Sequence, residues 1–263
     1  MKKYIHSGKC IWCGKSELNA TFFSEPHIIP HSLGGSEIGF DVCDECNHFF
    51  GTCSKNSLNT NLVFKEVFNA SLHSITYKQG KQTKYSSAFF HYNKNKGLIK
   101  LKRYLSIRLF TDTFKRSLYE VFLQKYHFVF PDEPLDKFEA VRRYARYGIG
   151  NLHVYFVYNS GIILNCQNKK DDIVLSITEY SKKEIENTGY FVFHLVGHIL
   201  ILEVLPITAE TKGENSLRDL ANKYILHTDN TVGLYELNDI RFFDMFFNRL
   251  SYKHIDSNNK LFK

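Results

Sequence analysis

Residues 10–51 read CIWCGKSELNATFFSEPHIIPHSLGGSEIGFDVCDECNHFFG. The stretch opens on Cys10-x-x-Cys13 and nears its end with Cys43-x-x-Cys46, with His27, His31 and the pair Gly34-Gly35 between them. Each Cys-x-x-Cys unit is a knuckle that can present two sulfurs to one ion, and two such units have the ligand spacing of a four-thiolate zinc site. A site of that kind is closed and structural, and its binding energy holds together a module too small to fold on its core alone. The ordinary alternative is four unrelated buried cysteines. Of the six cysteines in the chain, Cys53 and Cys166 stand outside the pairs and read as free thiols.

The 263 residues, 43% of them hydrophobic and 15% aromatic, suffice for one large domain or for a small module plus a larger one. The start, Met1-Lys2-Lys3-Tyr4-Ile5-His6-Ser7, turns polar at once, so no secretory leader is expected. The longest apolar run, 191–207, is broken by His194, His198 and Glu203 and is a poor membrane span. A soluble, cytoplasmic protein with no membrane partner is the expectation, and paired cysteines in that compartment mean metal more often than disulfide.

The net charge of +7 is unevenly placed. Residues 1–60 carry five Lys/Arg and six Asp/Glu, whereas 67–111 carry nine Lys/Arg and no acid. Residues 112–263 are balanced, with nineteen basic and twenty acidic side chains. An acid-free basic stretch is the footprint of a polyanion-binding face, and Lys100, Lys102 and Arg103 are its densest part. A solvated charged surface is the competing reading. Tyr77, Tyr85, Phe89, Phe90, Tyr92 and Tyr104 are interleaved with these charges and could stack on single-stranded bases, although core packing accounts for most such aromatics.

Periodicity predicts a helix over 58–73, where Leu62, Val63, Val67 and Leu72 recur near a 3.6-residue period. Strand-like runs follow at 74–78, 84–92 and 98–110, with turns at Gln79-Gly80 and 93–97, and together predict a basic antiparallel meander. A helix is predicted over 112–128, capped by Thr111 or Asp112, and another over 137–147, closed by Gly148 and Gly150. Strands are predicted at 153–158, 161–165, 173–178, 190–196 and 198–205, with Gly197 at a bend. Helices are predicted at 216–227, with Ser216-x-x-Asp219 as a capping box, and at 238–252. The expected division is a cysteine module at 1–57 and a larger α+β domain with antiparallel strands at 58–263, the boundary falling within 55–75.

The segment SEPHIIPHSLGG, followed by CDECNHFFG, resembles the HNH endonucleases, the ββα-metal nucleases. The matching residues are His27-Ile28-Ile29-Pro30, Ser32-Leu33-Gly34-Gly35, Cys43-x-x-Cys46-Asn47 and Phe50-Gly51, in the family's order. FKRSLYEVF and FEAVRRYARYG look like helices that follow the motif in some bacterial HNH proteins. The resemblance implies a strand carrying the catalytic His27, a glycine-containing hairpin, a second strand and a short helix with Asn47 at a catalytic metal position. It also implies hydrolysis of phosphodiester bonds in DNA with Mg²⁺ or Mn²⁺, the zinc being structural, and extends to defence against foreign DNA.

The chemistry agrees. A neutral imidazole is a suitable base for activating water, and a hard divalent ion with oxygen ligands stabilises charge on the scissile phosphate. Two departures stand out: Pro26 occupies the place where the family usually has Asp, Glu or His, and Ile38 lies near that of the Asn which commonly orients the base. Glu25, His31 and His48 are the remaining candidates for the second ligand. His194 and His198 would be a metal pair on a helix, but their run reads as two strands. Arg142, Arg143 and Arg146 are candidates for phosphate contact or a solvated helix face.

The leading reading is a metal-dependent endonuclease acting on DNA, duplex before single strand. The rival is a zinc-containing nucleic-acid-binding protein without cleavage, in keeping with Pro26. A homodimer or a partner subunit is compatible with either.

Overall fold

The computed structural model describes residues 2–53, 58–77, 86–93, 98–158, 173–196, 198–223 and 233–243. The cysteine-rich segment has little regular structure before α1 (Asp44–Gly51). Its own core is Trp12, Phe22, Ile28 and Phe50, with the Trp12 and Phe50 rings edge-on at 4.9 Å. There follow α2 (Thr60–Tyr77), the hairpin β1 (Phe90–Asn93) and β2 (Leu98–Leu101), and the long α3 (Ile107–Val129). Then come α4 (Glu139–Tyr147), β3 (Val154–Tyr158), α5 (Glu179–Thr188), β4 (Tyr190–Leu195), β5 (His198–Glu203), α6 (Pro206–Lys223) and β6 (Gly233–Glu236). The fold is α+β, and among the described residues no helix is long and apolar enough to cross a membrane.

Strands β3 to β6 form an antiparallel sheet in the order β4-β5-β3-β6. All six residues of β5 are buried, because both faces are covered. Phe191, Phe193, Leu200 and Leu202 point into the main core, while Tyr190, Ile199 and Ile201 meet Ala209, Leu217, Leu220 and Ala221 of α6. Covered faces need near-continuous apolar strands, which explains HILILE. Helix α3 is buried almost all round and forms the axis of the molecule. Its Phe122 stacks within 4.9 Å of Phe191 and 5.3 Å of Phe138.

The cysteine module rests on this axis through polar ties as well as a shared apolar core. Asp41 has a left-handed backbone (φ 59°) and is fully buried. Its carboxylate lies 2.8 Å from His127 Nε2 on α3 and accepts the backbone N–H groups of His6 and Ser7. Burial alone would raise its pKa, but these hydrogen bonds outweigh it and hold the carboxyl below its usual range. Glu37 pairs with Lys125 of α3.

A second tie joins α1, α2 and α3. The Thr60 hydroxyl lies 3.0 Å from the Phe50 carbonyl at the end of α1 and 2.9 Å from Glu120 Oε2 on α3. Its one hydrogen serves one of these acceptors at a time, and turned to Glu120 it favours the carboxylate. Burial pushes the Glu120 pKa up to about 8, against the opposing effects of Thr60 and the Arg116 charge.

Several expectations are corrected. Residues 74–77 continue α2 rather than starting a strand, since extending an existing helix costs less than nucleating a new element. The run 98–110 is a strand only as far as Leu101. The alternation of Leu105, Ile107 and Leu109 does not reflect a sheet: Leu109 is exposed and Phe110 buried, as on a helix face. Among the described residues the meander is therefore a two-stranded hairpin. Helix α3 begins five residues early because Ser106, rather than Thr111 or Asp112, caps it by accepting the Leu109 N–H. Residues 173–178 are not a strand but lead into α5, whose capping box is Thr178 with Ser181. That helix has no apolar stripe to reveal it, since only Glu184 and Ile185 are buried. Ser216 does not cap: α6 starts at Pro206 and breaks at Gly213 (φ 70°). The predicted helix over 238–252 is a 3-10 turn at Ile240–Phe242 as far as it is described. The strand at 161–165, Gly197, and residues 224–227 and 244–252 lie outside the described residues.

The Glu120 proton yields a test. Its pKa is above the ordinary 4.5 in the fold, so its stabilising effect is whole below about 4.5 and is lost as pH rises through about 8. The wild-type unfolding free energy should therefore fall between pH 5 and 9, by as much as about 4 kcal/mol. Glu120→Gln keeps the shape and a donor toward Thr60, and in urea titrations it should remove most of that slope. An unchanged slope in the variant would contradict the assignment.

Candidate functional site

The first knuckle is a tight turn. Cys10 N–H donates to the Lys15 carbonyl, and Gly14 (φ 72°) donates to Cys10. The second knuckle is the N-terminal turn of α1, where Asp44 accepts from the Thr21 hydroxyl and from the backbone of Phe23 and Ser24. The two turns bring the sulfurs of Cys10, Cys13, Cys43 and Cys46 within 4.8 Å of one another. Cys13 and Cys43 Sγ are 3.7 Å apart, too far for a disulfide. Sulfurs at about 2.3 Å from a tetrahedral zinc would be about 3.8 Å apart, so the donors fit that ion.

The ionisation of the set points the same way. Hydrogen bonding with Cys46 pulls the Cys10 thiol down to about 5, despite burial. Burial and the Cys10 charge push Cys43 up to about 11, and Cys46 is pushed up by its bond to Cys10, by burial and by that charge. One thiolate thus suppresses its neighbours unless a cation lies among them. Zinc would supply that charge, with Cys10, Cys13, Cys43 and Cys46 as its ligands.

Arg146 reaches this cluster from α4. Its Nε donates to Cys46 Sγ at 3.4 Å, and its guanidinium lies 3.8 Å above the Phe49 ring. Arg116 of α3 fixes the end of α4 in turn, donating to the carbonyls of Ala145 and Arg146. The spacing of the cysteines gives no sign of this contact; its only trace in the sequence is the basic run Arg142-Arg143-x-x-Arg146.

Between the knuckles the chain makes a minimal hairpin. His27 and Ile38 form one antiparallel bridge, flanked by hydrogen bonds from Gly39 N–H to Pro26 and from Ile28 N–H to Glu37. No longer strand carries His27, because Pro26 and Pro30 flank it and cannot donate to a ladder. The tip turns through a 3-10 segment, His31–Leu33, and Gly34 (φ 109°). A Cβ on Gly35 would lie 2.3 Å from the Ile29 carbonyl, so only glycine fits there.

His27 is half-buried and its ring centroid is 5.9 Å from that of His31, which is exposed. Asn47, half-buried on α1, donates from Nδ2 to the Glu25 carbonyl at 3.4 Å, which ties the helix to the residue before Pro26-His27. The Glu25 carboxylate accepts the Tyr4 hydroxyl at 2.6 Å and raises the Tyr4 pKa. Pro26 is buried. His48 is exposed, 3.3 Å from the Thr52 hydroxyl. The hairpin and α1 thus bring Asn47 against the Glu25 backbone, two residues before His27, while the Glu25 carboxylate is engaged by Tyr4.

The other candidates are dispersed. Lys100 is exposed on β2, Lys102 donates from Nζ to the Ser87 carbonyl at 2.8 Å, and Arg103 is exposed in the turn after β2. Arg142 pairs with Glu139, and Arg143 is exposed. His194 and His198 lie on adjacent strands, and burial draws the pKa of His198 down to about 3.

Elemental analysis should find one zinc ion per chain. Cys43→Ser should unfold the module, since the metal contributes much of its folding free energy. Arg146→Ala should leave the fold intact yet release metal to a chromogenic chelator ~10–100-fold more readily, as loss of a ligand's outer partner does. Wild-type retention by Arg146→Ala would show the contact to be incidental.

No curated protein and no solved structure matches the chain. Residues 10–63, from the first knuckle to the first turn of α2, match the family model of the HNH endonucleases: the chain carries an HNH module at its N-terminal end, built on a cluster of four cysteines.

Proposed function

We propose that the chain is a metal-dependent endonuclease that hydrolyses phosphodiester bonds in DNA. The observation that carries this reading is the approach of α1 to the hairpin, Asn47 Nδ2 meeting the Glu25 carbonyl two residues before His27. It holds the helix that carries Asn47 against the backbone leading into His27, in a module matched to the HNH endonucleases. His27 takes a proton from water, and the resulting hydroxide attacks phosphorus. The P–O bond to the leaving oxygen breaks, and that oxygen gains a proton from solvent. A bound Mg²⁺ or Mn²⁺ would stabilise negative charge on the phosphate and the leaving oxygen.

The chain offers few hard ligands for that ion. The Asn47 oxygen is a donor for it, with Glu25 available if its carboxylate leaves Tyr4. Mg²⁺ commonly keeps several waters and binds substrate phosphate, which suits so sparse a set. In this division of labour residues 1–57 supply the chemistry and 58–263 the grip. Lys100 and Arg103 are exposed for phosphate contact, and the nine positive charges of 67–111 supply attraction that the slightly acidic module cannot. A role against foreign DNA is consistent with the HNH module.

A second reading is a nucleic-acid-binding protein without cleavage. It is favoured by the buried Pro26 at the usual ligand position and by the engagement of Glu25 with Tyr4.

Plasmid cleavage with Mg²⁺ or Mn²⁺ separates the two. His27→Ala should lower the rate by ~10²–10⁴ while keeping zinc content and DNA affinity. Equal cutting by variant and wild type would remove His27 from the chemistry. Binding without cutting by the wild type would select the second reading.

A further inference from the structure

A cleft of about 690 Å³ lies away from the cysteine cluster, between the start of α3, the Gly148–Asn151 turn after α4, and Leu237-Asn238. Four of its lining residues, Arg108, Thr111, Asp112 and Lys115, recur at three- and four-residue spacing and share one face of α3. Only 7% of Lys115 is exposed, yet among the described residues no hydrogen bond or ion pair engages its ammonium. Burial lowers its pKa, against Glu236, Asp112 and Glu203, whose charges raise it.

These acids are committed elsewhere. Asp112 accepts the Tyr144 hydroxyl at 2.7 Å, Glu236 meets His153 Nδ1 at 2.6 Å, and Glu203 accepts the His153 N–H at 2.9 Å. Arg108 is exposed at the cleft and has no ion pair among the described residues. The same cleft receives the N-terminal end of α3. There Ser106 satisfies the Leu109 N–H, and the N–H groups of Ile107 and Arg108 precede any intrahelical acceptor. The Lys115 stem is buried and its ammonium opens on the cleft, so an anion there would meet an ammonium, a guanidinium and the positive end of a 23-residue helix, against the single acid of the lining, Asp112.

We propose that this cleft is an anion site that takes a phosphate group of the nucleic-acid substrate, at a point distinct from the bond that is cut. The proposal rests on the nuclease reading for the identity of the substrate, but not for the presence of the site. Phosphate fits because its several acceptor oxygens can engage Lys115, Arg108 and the backbone N–H groups together. The cleft lies just beyond α4, whose Arg146 touches Cys46, so a strand held here would be anchored to the scaffold that carries the HNH module.

The test uses the full chain with inorganic phosphate, then duplex oligonucleotide. Phosphate should raise the melting temperature of the wild type above that in chloride at equal ionic strength. Lys115→Met, which keeps the length and removes the charge, should lose this rise while keeping its zinc. Arg108→Gln, at an exposed position, should weaken it without disturbing the fold. In fluorescence anisotropy each variant should bind duplex about tenfold more weakly, with the salt slope reduced by about 0.9 per lost contact. Equal phosphate stabilisation of wild type and variants would overturn the site. Lost phosphate binding with unchanged duplex affinity would overturn its assignment to the strand. Absence of cleavage by the wild type, with both binding effects present, would refute the nuclease reading and leave the site standing.

Discussion

Buried sulfurs within 4.8 Å of one another repel as thiolates and pack poorly as thiols, and a cation among them resolves the conflict. The geometry of the N-terminal module follows from that constraint. The knuckle at Cys10 and the first turn of α1 must face one another, so the chain between them is forced out as an excursion of fixed ends. His27 lies on that excursion, and α1, which begins in the second knuckle, carries Asn47 back against its base. A four-cysteine cluster closed by a metal would thereby set the relation between two groups outside that cluster.

The module does not stand alone against the rest of the chain. Phe50, Thr60 and Glu120 form a hydrogen-bonded line from α1 through α2 to α3, Asp41 with His127 forms another contact to α3, and Arg146 with Cys46 joins α4. The contacts to α3 are buried in a largely apolar surround, where an unmatched group is expensive, and the one from Arg146 is part-buried. Such contacts specify orientation more narrowly than apolar area does, because a sliding interface would orphan their atoms. The cleft beside α3 is built on the same helix that receives these contacts.

Much of this was legible in the sequence where the controlling interaction is local. Cys-x-x-Cys spacing is set by one turn of backbone, so the cluster of Cys10, Cys13, Cys43 and Cys46 could be read directly. The apolar runs at 190–196 and 198–205 reported strands because both faces of the sheet are covered. Contacts that join distant residues were illegible. Arg146 meets Cys46 across 100 positions, and nothing near either residue signals the other. Lys115 looks like any lysine on an amphipathic helix until the turn after α4 and Leu237-Asn238 form a cleft around it. Leu105 to Leu109 misled because an alternating pattern of five residues fits the start of a helix as well as a strand, and the cap at Ser106 decides between them.

The hairpin is joined by a single rung, and its tip is tied down by buried Leu33 and by the Gly34 carbonyl, which accepts the Ile173 N–H. The backbone pairs on either side of His27 hold the root, whereas His31, Ser32, Gly34 and Ser36 face solvent, with only Leu33 and Gly35 turned inward. Substitution at His31, Ser32 and Ser36 leaves the root undisturbed, whereas the left-handed Gly34 and the crowded Gly35 fix the turn itself. Variation in this stretch is thereby confined to the three side chains that the tip presents to solvent.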